Sequence, residues 1–248
     1  MKTIDIHLPT SWQELTDKQL KYYFKLLVAE LSATEIRTLC LVKWADLRII
    51  RYMGEFVLCK FGRKHINVST DQIADIVHTL DWLDEIPASP VRFGKIGKFE
   101  ALPAKFEGVP FESYLAAENL YQGYLLTKDD SLLDELASIL YQSDPVKVKD
   151  FQRMSIFYWL TSLRNYFANK FPNFLRPATN ATSGKLLGAA PNVIESMNVQ
   201  IRALTKGDVT KEAQVLAMDT WRALTELDAQ AKEYEEINRK YGNQQQQL

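Results

Sequence analysis

Only two of the 248 residues are cysteine, Cys40 and Cys59, and both lie inside apolar runs. That scarcity argues against a disulfide-stapled secreted fold and fits two buried thiols in a reducing compartment. Histidine is almost as rare: His7, His65 and His78 are the three present, none at metal-ligand spacing to another His, a Cys or a carboxylate pair. His65 and Cys59, facing each other across an expected hairpin, come nearest, but two ligands do not make a zinc site. There are 10 glycines, and the Gly94 to Gly97 spacing has no strand and helix arranged around it as a phosphate loop requires. Ser183-Gly184-Lys185 has Walker-like letters in an unsuitable order, and no nucleophile elbow, His-Glu-x-x-His helix or Cys-x-x-Cys pair occurs. No metal and no organic cofactor is expected.

Excess charge of one sign is missing too. Thirty basic against 31 acidic side chains leave a formal net charge of -1, so no global field draws the chain to nucleic acid or anionic lipid. The stretch "WADLRIIRYMGEFVLCKFGRK" interleaves aromatics with bases as a nucleic-acid surface would. The same letters describe amphipathic core-forming segments with solvated Lys and Arg, and nucleic acid is not the expected partner. No apolar run approaches the roughly 20 residues of a spanning helix, and "MKTIDIHLPTSW" lacks an apolar signal core. Neither export by signal peptide nor a membrane span is expected.

What is present is an ordinary globular composition, 46% hydrophobic and 25% charged. Helical signals dominate it. "TIDIHL" alternates Ile4, Ile6 and Leu8 with polar residues and predicts a short strand over Thr3 to Leu8, closed by Pro9. Ser11 with Glu14, Thr16 with Gln19, Ser32 with Glu35 and Ser69 with Gln72 each match the capping box at the start of a helix. "EFVLCKFGRKHINVS" predicts two strands, Phe56 to Val68, around a Gly62-Arg63 turn. The segment 91–109, dense in Pro and Gly, predicts a small β excursion.

Helices follow from Phe111, from about Asp130 until Asp144-Pro145, and over "FQRMSIFYWLTSLRNYFANKF", which is apolar nearly all round and ends at Pro172. The expected organisation is a mainly α fold with a small antiparallel β part: a body over 1–177, a linker over 178–190 and a C-terminal helical segment over 191–248. In that last segment Gly207 closes a short helix, and Asp208 starts one long helix reaching about Tyr241. Its apolar face is broad up to Leu227 and thin beyond. Leu224, Leu227, Ala231, Tyr234 and Tyr241 offer a heptad-like seam, with weak self-association or partner docking expected.

One ionisable residue stands out. In "FESYLAAENLYQGYLL", Phe111, Tyr114, Leu115, Tyr121 and Leu125 share one stripe at 100° per residue, and Glu118 falls near its centre. A carboxylate there is either a catalytic acid with a raised pKa in a pocket lined by Tyr114 and Tyr121, with Tyr114, Tyr121 and Gln122 as its local hydrogen-bonding candidates, or a structural group held by Tyr hydroxyls, backbone or an Arg from the β excursion. With no second catalytic carboxylate nearby, the structural reading is preferred.

The ordered series "LPTSWQELTDKQLKYYFKLL", "LDWLDEIP", a Gly- and Pro-rich turn into "VPFESYLAAENLYQGYL", then "FYWLTSLRNYFANKFPNFLRP" resembles uncharacterised proteins of bacteriophage and prophage structural modules in Bacteroidetes-type hosts. The resemblance spans roughly Ile4 to Pro177. It implies a non-enzymatic virion, tail or assembly protein working through contacts with other phage structural or assembly proteins, in the host cytoplasm or the virion, and it transfers no catalytic residue. The alternative is a small-molecule enzyme or binder built on Glu118.

Overall fold

The computed structural model describes residues 6–143, 148–175 and 193–245, with side chains left aside at 193–196 and 241–245. It is mainly helical with a small antiparallel β part and a long C-terminal helix. The chain forms two compact units, Met1–Pro87 with Lys149–Ser155 and Ala88–Val148 with Ile156–Leu248. The division thus falls near Pro87 rather than at 178–190, which lies outside the described residues, as does Asp144-Pro145. The physical reason is that the helices on either side of 178–190 share one core.

In the first unit, α1 (Asp17–Leu27) and α2 (Ala33–Trp44) lead into a three-stranded antiparallel sheet, β1 (Leu47–Met53), β2 (Phe56–Phe61) and β3 (Lys64–Ser69), followed by α3 (Thr70–His78). Three expected capping boxes form, at Thr16 and Gln19, Ser32 and Glu35, and Ser69 and Gln72. The fourth does not. Ser11 makes no side-chain cap, and Glu14 instead accepts from the backbone N–H of Thr10 at 2.7 Å, over a single 3-10 turn, Trp12–Glu14. Of the expected N-terminal strand, residues 3–5 lie outside the described ones, and Ile6 to Leu8 pair with no strand. Trp12 anchors the helical side: its ring sits edge-on to Tyr23 at 5.1 Å and to Trp82 at 5.6 Å, and its indole N–H donates to the Glu85 carbonyl at 3.1 Å.

The strand pair expected over Phe56 to Val68 is β2 and β3, turned at Gly62 with φ of 56°. β1 was not expected. Its alternation is broken where the register to β2 shifts between Ile49 and Arg51, leaving Ile50 as a bulge.

In the second unit the β excursion shrinks to a two-residue hairpin, β4 (Lys95–Ile96) and β5 (Phe99–Glu100). The remainder of 91–109 is an irregular loop. α4 (Phe111–Thr127) and α5 (Asp130–Leu140) form a helical hairpin, with Gly123 so close to Leu132 that an added Cβ would lie 3.1 Å from Leu132 Cδ1. α6 (Asp150–Lys170) contributes its first turn to the first unit and Ile156, Trp159, Leu160, Leu163 and Phe167, all essentially unexposed, to the second. α7 (Val193–Thr205) ends at Gly207, whose φ of 81° permits its N–H to reach the Arg202 carbonyl at 3.2 Å.

The expected single helix from Asp208 is broken. Asp208 caps a 3-10 turn, Val209–Lys211, then a short α8 (Glu212–Leu216) stops, and α9 (Thr220–Gln245) starts afresh. The break is set by the loop before α4. Phe111 N–H donates to the Met218 carbonyl at 2.7 Å, and Thr220 donates to the Val109 carbonyl twice, from its N–H at 2.9 Å and its hydroxyl at 2.7 Å. Asp219 accepts from the N–H of Gly108 at 2.8 Å through one oxygen and caps Arg222 N–H at 3.1 Å through the other. A continuous helix would withdraw the Met218 carbonyl from this ladder.

Thr220→Val keeps the shape of a fully buried side chain but deletes one of these donors. It should lower stability by about 1 kcal/mol or more, read from a urea unfolding midpoint. Thr225→Val, which removes an exposed hydroxyl bonded within α9 itself, should stay within about 0.5 kcal/mol of the parent.

Candidate functional site

α4 and α6 together build the polar site around Glu118. Gln122, one turn on along α4, donates to Glu118 Oε1 at 2.7 Å, and Arg164 Nε of α6 lies 3.2 Å from the same oxygen. The carboxylate is 18% exposed and Arg164 43%, so the guanidinium keeps one side in water while the acid is largely enclosed. Oε2 is buried with no partner among the described residues. Burial pushes the Glu118 carboxyl above the ordinary carboxylate range, against the opposing pull of the Arg164 charge and the Gln122 hydrogen bond.

The two flanking tyrosines do not hold the carboxylate in the way expected. The Tyr121 hydroxyl lies 2.8 Å from Thr161 Oγ1. Thr161 gives its own proton to the Phe157 carbonyl at 2.8 Å, so Tyr121 is the donor. The Arg164 guanidinium stands 5.5 Å from the Tyr121 ring centre. Tyr114 is a core ring, stacked on Phe111 at 6.0 Å and edge-on to Phe106 and Phe167 at 6.2 and 5.7 Å. Burial first, then the Glu118 charge, raises its phenol far above the usual range, which keeps it neutral. Glu118 and Tyr121 are thus brought together around Arg164, with Tyr114 packed below them.

The arginine comes from α6, not from the β excursion. Its signal was in the sequence: a charge set in "FYWLTSLRNYF", otherwise apolar on nearly every side, has to find a counter-ion. Arg164 and Thr161 escaped notice because nothing local links α4 to α6, 40 residues apart at the Tyr121 to Thr161 bond.

The partner seam splits in two. Leu224 and Leu227 are 0% and 4% exposed and belong to the core of their own unit, so they offer nothing to another chain. Ala231 is half-buried, whereas Tyr234 and Ile237 are 66% and 50% exposed. The side chain of Tyr241 lies outside the described ones.

A second exposed apolar region, not foreseen, lies in the first unit, where β1 and the start of β2 leave Ile49, Ile50, Tyr52, Met53 and Phe56 exposed within eight residues of chain. Beneath the sheet, between it and α2 and α3, is an almost wholly apolar cavity of about 290 Å³, with Cys59 in its wall. Cys59 and Cys40 are free and buried. Burial alone lifts the Cys40 thiol to about 12 and raises Cys59, so neither is a ready nucleophile. His65 pairs with Lys60 across the ladder and Cys59 with Ile66, which places Cys59 and His65 on opposite faces of the sheet.

Among the described residues no group of three or more His, Cys, Asp or Glu could hold a metal ion, and no helix is long and apolar enough to cross a membrane. No protein-family model, curated protein or solved structure matches the chain.

Since the folded-state pKa of Glu118 is raised, the folded chain holds its proton more tightly than the unfolded chain. The group therefore destabilises at high pH and ceases to do so as pH falls from above its folded pKa toward the ordinary value of about 4.3. Glu118→Gln keeps the acceptor for Gln122 and Arg164 and removes that penalty. It should leave the neutral-pH midpoint unchanged or higher and flatten its rise on acidification. Glu118→Leu strands both donors and should cost about 1 to 3 kcal/mol. Thermal melts at several pH values decide between them.

Proposed function

We propose that this chain is a non-enzymatic bacteriophage structural or assembly protein, acting through protein–protein contacts as a virion or tail component or as a tail assembly chaperone. Its partners are other phage structural or assembly proteins, met in the host cytoplasm or in the particle. One observation supports a contact-making role above the rest: five large apolar side chains exposed on one β-hairpin, Ile49 to Phe56, an expense in solvation that a self-contained monomer avoids. The exposed Tyr234 and Ile237 on the distal half of α9 add a second such surface.

The reading built on catalysis by Glu118 has one observation on its side, the unpartnered Oε2 of a carboxyl with a raised pKa. Against it, Oε1 is already engaged by Gln122 and Arg164, and Tyr114 is sealed into the core. What remains is an ion pair that locks α4 to α6, not an acid poised beside a partner base.

The test is mass spectrometry of purified particles together with capture from an infected-cell extract by the tagged full chain. Fixed copy number in the particle marks a component, and absence from it with capture of co-encoded structural proteins marks an assembly factor. If the chain is absent and captures none of them, the proposal fails. Deleting 231–248 should leave the melting temperature nearly intact, because the side chains described there are at most half-buried, and should weaken capture. A large stability loss would show instead that the tail docks on its own body.

A further inference from the structure

The three-stranded sheet has two faces of opposite character. Val57 and Cys59 of β2 are 7% and 2% exposed and point to the helices, so the alternate residues Phe56, Leu58 and Lys60 point away. Cross-strand register then composes the outward face row by row: Met53, Phe56 and Ser69; Arg51, Leu58 and Asn67; Arg48, Lys60 and His65. The last row sets Arg48 directly against Lys60, a like-charge pairing that destabilises a sheet.

Among the described residues no ion pair compensates it. Between Leu47 and Ser69 stand Arg48, Arg51, Lys60, Arg63 and Lys64 against the single acid Glu55, in a chain whose net charge is -1. The ion pairs of this unit lie elsewhere, among Arg37, His78, Asp81 and Asp84 and between Arg153 and Asp150, and none of the five cations of the sheet has a carboxylate among the described residues. β1 is moreover an edge strand among the described residues, paired on one side to β2 and with no described strand on the other. Charges and a bulge on an edge do protect it from random pairing. That accounts for Arg48, Arg51 and Ile50, but not for Lys60 on the central strand or for Arg63 and Lys64 in the turn beyond it.

The geometry points to an acidic, extended protein segment as the ligand of this sheet, pairing by its main chain along β1 and placing carboxylates on Arg48, Arg51 and Lys60. This rests on the contact-making reading above and names its partner chemistry. A polypeptide fits better than a nucleic acid for two reasons. The outward face carries one aromatic ring, Phe56, two rows away from Arg48 and Lys60, so it makes no stacking platform for successive bases. An open strand edge offers hydrogen bonds that an extended peptide can use, while Met53, Phe56 and Leu58 give apolar seats for its alternate side chains.

The experiment uses the full chain and a fluorescein-labelled peptide alternating Glu with Val. Binding by anisotropy should be detectable at low salt and weaken as ionic strength rises toward about 1 M, where the Debye length is about 3 Å. The triple variant Arg48→Ser, Arg51→Ser, Lys60→Ser should lose at least about tenfold in affinity, because interfacial charges are removed. Its melting temperature should not fall, since the like-charge pair is relieved. A Lys-Val peptide should not bind, and an N-methylated Glu-Val peptide, unable to pair as a strand, should bind at least about tenfold more weakly.

Equal affinity for parent and triple variant overturns the proposal, as does equal binding of the N-methylated peptide. Binding of oligothymidylate without binding of the Glu-Val peptide overturns it in favour of a nucleic-acid surface. Capture of co-encoded proteins is scored separately: capture that survives in the triple variant sinks this inference and leaves the assembly reading standing, whereas no capture by the parent together with absence from the particle sinks the reading alone.

Discussion

Between Leu102 and Phe111 the second unit carries a loop with no helical or strand ladder of its own, and Leu102, Phe106 and Val109 carry it into the core. Each buried amide or carbonyl there has to be met by a side chain or by another segment's backbone. Leu102 N–H finds the last turn of α5 at the Leu140 carbonyl, 2.8 Å away. The indole N–H groups of Trp159 and Trp221 take the carbonyls of Ala104 and Lys105 at 2.7 and 2.8 Å, and Asp219 and Thr220 take Gly108 and Val109. Four helices thus depend on one irregular segment. Phe106 shows the constraint most sharply, since its backbone stands at φ of 59° while its ring is fully buried. A bulky residue enters that region only when its surroundings over-determine it.

That dependence explains where the sequence was legible and where it was not. Capping boxes at Thr16, Ser32 and Ser69 are local devices, complete within four residues, and they form as written. So do the β2 and β3 hairpin and the buried α6. One failure is local and the others are long-range. Ser11 has the letters of a cap, but a neighbouring residue, Thr10, offers Glu14 a better partner. The region from Asp208 has the periodicity of one helix, yet it breaks at Met218 to Asp219 because bonds to residues 108 to 111 outweigh two more turns of helix. Leu224 and Leu227 look like a seam in the sequence and are core in the fold, since periodicity reports that a face is apolar and not what it meets.

The polar site repeats the lesson with charge. Glu118 was visible because its own helix surrounds it with aromatic residues, and Gln122 because it lies one turn away. Arg164 supplies the decisive counter-charge from a helix distant in sequence, and it stays partly in water while its partner does not. Such a pair gives register more readily than stability, because desolvating the carboxylate offsets much of the Coulomb gain. Its most direct physical consequence is to fix how α4 and α6 meet, with Tyr121, Thr161 and the Phe157 carbonyl forming a second bond across the same seam.

The two units treat charge in opposite ways. Around Glu118 an acid is drawn inside and answered by a cation from the same unit, so the interaction closes on itself. On the sheet of the first unit cations are lined up against one another with no carboxylate among the described residues to answer them, next to apolar side chains that are also left in water. Either feature alone is common on a protein surface. Together, on one face beside a strand with a single partner among the described residues, they support the proposed acidic, extended ligand, since charge, apolar spacing and hydrogen-bonding groups each favour it.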